Sequence, residues 1–494
     1  MTDTLNTTTP DSNVPDNARA PIQLVAEPNP QGKVRNYTFA ELQIGDSATL
    51  THTVTRQDVE LFAVASGDYN PQHLDDEFAS RSLFKSVIAH GMYGGSLISA
   101  LLGTRFPGSG TIYLSQSLRF TAPVRIGDTI TVKLTVSARN EDKKWITLES
   151  VCTNQKGKTV IAGEATVMPP AESAEMLPHP LPEVRMFKAQ NGPERLLAEA
   201  QQRGRIKMAV VHPCDPISLE AALKARDLGL IEPLLIAPRA KLEAVAAEAG
   251  LSLEGVHIED VPHSHAAAIT ATQLARAGMV EALMKGSLHT DELMSAVVDR
   301  EHGLRTKRRI SHCFLLEAPA YPRPFIITDA AVNIQPTLAI KADIVQNAIN
   351  LAHVIGVTQP KVALLAAVET VNADMEATLH AAALCKMADR GQITGGVLDG
   401  PLAFDNAVSA EAARIKGITS PVAGEADILV VPDLESGNML AKQLEYLAGA
   451  HMAGIVLGAR LPIVLTSRAD NEAARISSCA LSVLLAHQYR LTPP

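Results

Sequence analysis

Two stretches of the chain carry residue types that can do chemistry. Residues 65–75 read ASGDYNPQHLD, with Asp68 and His73 five apart around Asn70-Pro71. Asn-Pro is a turn signal, so both side chains can fold toward one centre. A carboxylate beside an imidazole exchanges protons near neutral pH, which is what a general acid–base pair requires. The same spacing serves an Asx-type turn with a surface histidine, and spacing alone leaves both readings open. Close by, residues 88–95 read IAHGMYGG. Free N–H groups at the start of the apolar helix that follows can hold a carbonyl oxygen as it gains negative charge. Gly91 allows close backbone approach there, or serves only chain direction. His90 reads as structural.

The second stretch is Ser467-Arg468, delivered by an apolar strand at 463–466 to a helix from about Asn471. Helix N–H groups and a guanidinium fork together favour a phosphate-like anion. Most Ser-Arg pairs are merely exposed capping residues, so the signal is weak alone. G-x-x-x-x-G-K-[ST] and a strand-following G-x-G-x-x-G are both absent, which leaves Walker-type hydrolysis and dinucleotide binding unsupported. Polar runs at 285–290, 399–402 and 433–438 also follow apolar strands. Ligands bind beyond the carboxyl ends of strands in open parallel sheets, so these loops are expected to line one crevice. The cationic run 305–309 (RTKRR) reads first as a solvated face, with one or two arginines able to reach a phosphate.

The elements that must position these residues fall into two regions. Residues 112–136, 145–152 and 158–167 alternate apolar and polar side chains, the pattern of an antiparallel meander. Residues 91–103 are apolar nearly all round, so that helix is buried, and the simplest packing wraps the sheet around it. After five prolines between 169 and 182, the pattern changes to repeated strand–helix units. Strands are expected at 206–211, 233–237, 280–284, 325–328, 362–367, 427–431 and 463–466, in a mainly parallel sheet covered on both faces, as two subdomains with a cleft. The divisions are a flexible tail at 1–35, a first domain at 36–168, a proline-rich linker at 169–188 and a second domain at 189–494.

Composition narrows the function. The chain has 494 residues, 46% hydrophobic and 20% charged, enough for several globular domains. Its net charge of −9 argues against a general nucleic-acid binder. No apolar run is long enough to span a bilayer, and the first residues lack a secretory pattern. The five cysteines form no CxxC pair, so a cytoplasmic protein with reduced thiols and no metal cluster is expected.

Residues 50–136 closely resemble the MaoC-like (R)-specific enoyl-CoA hydratases, through SGDYNPQHLDDEFA, VIAHGMYGGSLISALLG and IYLSQSLRFTAPVRIGDTI. The resemblance implies an α+β hotdog fold that dimerises through its sheet. It implies that Asp68 and His73 activate the water added across an enoyl double bond. It places the oxyanion donor on the Gly91 N–H and a supporting helix serine on Ser99. Residues 190–490 resemble the phosphate acetyl/butyryltransferases, through LMKGSLHTDELM, RRISHCFLLE, LDGPLAFDNAVS, SPVAGEADILVVPDLESGNMLAKQL and LPIVLTSRADN. That implies an α/β phosphotransacetylase-like fold with two subdomains and parallel sheets. Ser467 and Arg468 match the active-site serine and arginine, with Lys285, Thr290 and Asn438 as further lining residues, and Arg308 is the arginine of the cationic run expected to contact phosphate or CoA. DGPLAFDNA and TSRAD place the match nearer the butyryltransferase branch. The aspartate that phosphate acetyltransferases carry seven residues past that serine is Ala474 here, with Asp470 the nearest alternative.

Together these imply a two-site enzyme of CoA thioesters. One site turns trans-2-enoyl-CoA into (R)-3-hydroxyacyl-CoA. The other exchanges CoA for phosphate on an acyl-CoA. CoA thioesters and inorganic phosphate are substrates, no cofactor is held tightly, and a homodimer or higher oligomer is expected without membrane or nucleic-acid partners. The alternative is an active transferase whose hotdog serves dimerisation or acyl-CoA binding.

Overall fold

The computed structural model describes residues 19–27, 32–182, 184, 186, 191–466 and 470–494. Ser467 and Arg468 lie outside the described residues. The chain divides into two compact units, Met1–Met186 and Phe187–Pro494.

The first unit runs β1 (Gln23–Ala26), β2 (Val34–Arg35), β3 (Ser47–Thr53), α1 (Arg56–Ser66), α2 (Pro71–Leu74), α3 (Asp76–Arg81), α4 (Gly91–Thr104), β4 (Ile112–Phe120), β5 (Thr129–Asn140), β6 (Trp145–Thr153), β7 (Thr159–Met168) and β8 (Glu175–Met176). Six strands form one sheet in the order β1-β3-β5-β6-β7-β4. Alternate residues of β5, β6 and β7 point inward, and Leu134, Leu148 and Val167 meet Ile98, Leu101 and Leu102 of α4 in one core. The sheet curves around α4, the hotdog arrangement, but buries only one face of it: Tyr93, Ile98, Leu101 and Leu102 face the core, while Met92, Ser96, Ser99 and Ala100 are exposed, so the burial all round expected from its apolar sequence is not met within one chain. Gly94 lets the two surfaces approach: a Cβ there would come within 2.2 Å of Ile161 Cδ1.

Two boundaries differ from expectation. Residues 19–27 are not tail, because β1 adds to the edge of the sheet parallel to β3, and Arg19 pairs with the buried Asp46 at 2.6 Å. The start of the proline-rich stretch is also tied down. β8 pairs with β2, and the Asn36 side chain accepts from the Ala174 N–H at 2.7 Å and donates to Ser109 O at 2.9 Å. Backbone pairing with a sheet edge needs no apolar pattern, so neither event leaves a periodic signal.

The second unit runs α5 (Gly192–Arg203), β9 (Ile206–Val211), α6 (Pro216–Asp227), β10 (Ile231–Ala237), α7 (Arg239–Ala249), β11 (His257–Asp260), α8 (Ser264–Arg276), β12 (Ala282–Lys285), α9 (Thr290–Val297), β13 (Ser311–Glu317) and β14 (Phe325–Thr328). It continues with α10 (Leu338–Val354), β15 (Lys361–Leu365), α11 (Glu376–Asp389), β16 (Val397–Leu402), α12 (Phe404–Val408), α13 (Ala410–Ile415), β17 (Ile428–Val430), α14 (Leu434–Ala448), β18 (His451–Leu457), β19 (Ile463–Val464) and α15 (Glu472–Leu491). Eleven strands form one sheet in the order β11-β10-β9-β12-β19-β18-β13-β14-β17-β15-β16. One face is covered continuously, while the other carries two separate apolar clusters, one under each half.

The centre of this sheet reverses direction. β18 runs antiparallel to both β19 and β13, and β13 antiparallel to β14. β9, β10, β11, β12 and β19 therefore run one way, and β14, β15, β16 and β17 the other. Each half is parallel, as the repeated strand–helix pattern requires, but their carboxyl ends open on opposite ends of the sheet.

Candidate active sites

The hotdog site is assembled by a turn and a helix start. Thr55 caps α1, and Gly67 ends it at φ 73°. The chain then turns through Asp68–Asn70, where Asp68 Oδ1 accepts the Asn70 N–H and Asn70 Oδ1 accepts the Gln72 N–H. Pro71 starts α2 with its fixed φ. This one-turn helix carries His73 inward, where its Nδ1 lies 2.7 Å from Ile88 O. A carbonyl accepts only, so Nδ1 is the donor in this contact and Nε2 is left free of it. His90 joins the pair: its Nε2 lies 3.0 Å from Asp68 O, and its ring centroid is 3.9 Å from that of His73. By the same logic its Nε2 is the donor, and its Nδ1 is buried without a hydrogen-bond partner.

Side-chain donor atoms of Asp68, His73 and His90 lie within 4.8 Å of one another. His90, read as structural from the sequence, is therefore placed within the same cluster. These donors are also of the type that can hold a divalent cation, and they come together from two segments, a grouping that local spacing does not encode. His73, His90 and Gly91 line a cavity of about 340 Å³, walled by Phe84, Tyr93, Leu97, Phe120, Ile130 and Ile161. Gly91 is the first residue of α4, so its N–H has no acceptor within the helix. A Cβ at Gly91 would stand 3.0 Å from the Phe120 ring. Ser99 lies two turns further along α4, exposed and outside the cavity lining. The supporting role implied for it is not part of this site within one chain.

The second unit has a polar cavity of about 450 Å³ at the carboxyl ends of β9, β12 and β19. Its lining includes His212, Asp215, Lys241, Lys285, Ser287, Thr466 and Arg475. Thr466 immediately precedes the undescribed Ser467 and Arg468. Lys285 is buried at the end of β12, its Nζ donating to Gly286 O and Leu288 O at 3.2 Å each. Arg475, in the first turns of α15, is buried and donates from Nη1 to Thr466 Oγ1 at 3.1 Å. Three cations and one carboxylate facing a common space make a receptacle for anions. Asn471 Oδ1 caps α15 by accepting from the Ala474 N–H, so position 474 serves the helix start by its backbone alone.

His212 was missed by sequence reasoning. It follows β9 directly, in the unusual left-handed backbone at φ 53°. Its carbonyl accepts from the Ser287 N–H, the Cys214 N–H and the Ser287 hydroxyl, which hold it there. Its place just beyond a parallel strand was the available signal.

The remaining expected contacts do not gather here. Thr290 is the first residue of α9, half-buried and outside the cavity lining. Asn438 sits in α14 after β17 and donates to Ala330 O at 3.2 Å. Arg308 precedes β13, 3.9 Å from Asp343, in a hollow beside Arg460. Asn438 and Arg308 lie toward the sheet end opposite Thr466, because the reversed central strands turn the two halves head to tail. The single crevice expected for all the strand-end loops is thus split.

A model of the family described as phosphate acetyl/butaryl transferase matches residues 263–483, and one of the MaoC like domain matches residues 42–157. A phosphate acetyltransferase of Rhizobium meliloti is 60% identical over 297 residues, which are 60% of this chain and 94% of that protein. The chain belongs to the phosphate acetyl/butyryltransferase family. It also carries a MaoC-like domain. A phosphate butyryltransferase of Clostridium acetobutylicum is 39% identical over 291 residues, covering 59% of this chain and 97% of that one. Placement nearer the butyryltransferase branch is therefore corrected: the higher identity is to a protein named for acetyl transfer. A branched-chain phosphotransacylase from Enterococcus faecalis shares the second unit's fold, with TM-score 0.52, 30% identity and coverage of 57% of this chain and 99% of that one. Among the described residues no helix is long and apolar enough to cross a membrane.

Proposed function

We propose that the chain is a bifunctional enzyme of CoA thioesters, with hydration at the hotdog cavity and phosphate-dependent acyl transfer at the cationic cavity. For the hotdog, the supporting observation is the Asp68–His73–His90 cluster at an apolar cavity that also receives the start of α4. An enoyl chain fills the apolar walls, and its thioester oxygen lies toward the Gly91 N–H. Asp68 and His73 orient a water and take its proton as its oxygen bonds to C3. The electrons of the C2=C3 bond move to C2, charge builds on the thioester oxygen, and the proton returns at C2. The Gly91 N–H stabilises that charge only when it develops, which lowers the barrier rather than tightening ground-state binding.

For the second unit, membership of the transferase family and the cations Lys241, Lys285 and Arg475 around one space support acyl-CoA + phosphate = acyl phosphate + CoA. The cations collect phosphate in this cavity, whose lining residue Thr466 precedes Ser467 and Arg468 in the sequence. Which acyl group is used, and whether the chain assembles as a dimer through the hotdog sheet, belong to the same proposal.

One sample tests both activities. Loss of enoyl absorbance from crotonyl-CoA reports hydration, and thiol release from acetyl- and butyryl-CoA with and without phosphate reports transfer. Hydration unchanged in Asp68→Asn refutes the first assignment. Thiol release that does not depend on phosphate refutes the second.

A further inference from the structure

The family resemblance leaves the transferase without its expected base, since Ala474 stands where an aspartate is implied. The cationic cavity holds another group suited to move the proton. Ser287 Oγ donates its hydrogen to His212 O at 2.9 Å, and also lies 3.0 Å from His212 Nδ1. With the hydroxyl hydrogen spent on the carbonyl, the Nδ1 contact requires the proton on Nδ1. The lone pair is left on Nε2, which has no hydrogen-bond partner among the described residues and is not sealed from the cavity that His212 lines.

The environment keeps the ring neutral. Burial, then the Lys241 ammonium, hold the His212 imidazolium below its usual range, while Glu292 and Asp215 oppose the shift more weakly. Lys285 from β12 and Arg475 from α15 line the same cavity. An L-residue is held in left-handed backbone at the mouth of a cavity only when its surroundings over-determine it, as the three bonds to its carbonyl do.

We propose that His212 is the proton-transfer residue of the acyl transfer, an inference that rests on the transferase reading above. Hydrogen phosphate attacks the thioester carbonyl carbon, a C–O bond forms, and the C–S bond breaks to release CoA thiolate. The proton leaving hydrogen phosphate passes to His212 Nε2 and from there to the thiolate sulfur. The ring ends neutral, acyl phosphate and CoA thiol are the products, and no other reactant is needed. In reverse, Nε2 takes the thiol proton and makes the attacking thiolate.

The test uses the full chain, with thiol release from acetyl-CoA and phosphate measured between pH 5 and 9. Asparagine tolerates left-handed backbone, so His212→Asn preserves the chain path. In the wild type kcat falls on an acidic limb below pH 6.5. In His212→Asn kcat drops about 100-fold, the limb disappears, KM for phosphate changes less than threefold, and added imidazole restores part of the rate. Ser287→Ala, which frees the ring to turn, lowers kcat several-fold and covers the case in which His212→Asn does not fold. Unchanged kcat and pH profile in a folded His212→Asn overturn the inference while leaving the transferase reading intact. Absence of phosphate-dependent thiol release in the wild type overturns both.

Discussion

Gly286→Ala should disable the second unit while sparing the first. Gly286 follows β12 where the chain passes directly over the end of β9. A Cβ there would lie 2.5 Å from His212 O and 2.6 Å from Val211 O. Both obstacles are backbone, so no rotamer change relieves them, and the loop must retreat by at least about 0.5 Å. Two hydrogen bonds of 2.9 Å hold it in place, from the Gly286 N–H to Val211 O and from the Ser287 N–H to His212 O. Weakening both, at ~1 kcal/mol each, with the overpacking cost, amounts to about 2–3 kcal/mol. For a unit of this size that lowers Tm by roughly 5 °C. The same retreat displaces Lys285 and Ser287 relative to Thr466, and sub-ångström misplacement of positioning groups costs about 10–100-fold in rate. The assay is phosphate-dependent thiol release, with crotonyl-CoA hydration on the same sample as internal control and two-transition melting by calorimetry. An alanine variant that keeps full transfer activity and melts like the wild type refutes the argument. So does a variant that loses both activities together.

Asp68→Asn should lower crotonyl-CoA hydration by about 10²–10⁴-fold with transfer unchanged, because the amide occupies the same volume but cannot take the proton. Gly91→Ala should lower the same activity mainly through kcat, read by enoyl absorbance, since its Cβ presses on the Phe120 ring where the oxyanion would sit. His312 is fully buried with both ring nitrogens unpaired, and burial pushes it down to about 3 from an ordinary 6.5. Its neutral form is favoured by folding, so its contribution is complete above pH 6.5 and is lost as pH falls toward 3. By pH 5 the loss is about 2 kcal/mol, and urea titrations of His312→Leu should show a flatter pH dependence. Inorganic phosphate at 100 times its Kd should stabilise the second unit by about 2.7 kcal/mol, and Lys285→Met should shift that titration to higher phosphate concentration.

Local rules decided much of this protein. Alternation in β5 to β7 specified the meander, since a strand half-buried in one sheet must repeat every second residue. Asp215-Pro216 capping α6 and Gly204 ending α5 were legible because caps depend on a few adjacent residues. The turn bringing Asp68 and His73 together was legible for the same reason.

Tertiary structure decided the rest. His90 and His212 have chemistry because of partners in other segments, Asp68 and His73 for one and Ser287 for the other, contacts no local spacing encodes. The direction of β13 and β18 was invisible in their apolar runs, because a strand buried on both faces reads alike whichever way it runs. Yet that direction separates Asn438 and Arg308 from Lys285 and Thr466. Residue order determined which groups were available to each half, and the sense in which the central strands cross the sheet determined which of them meet.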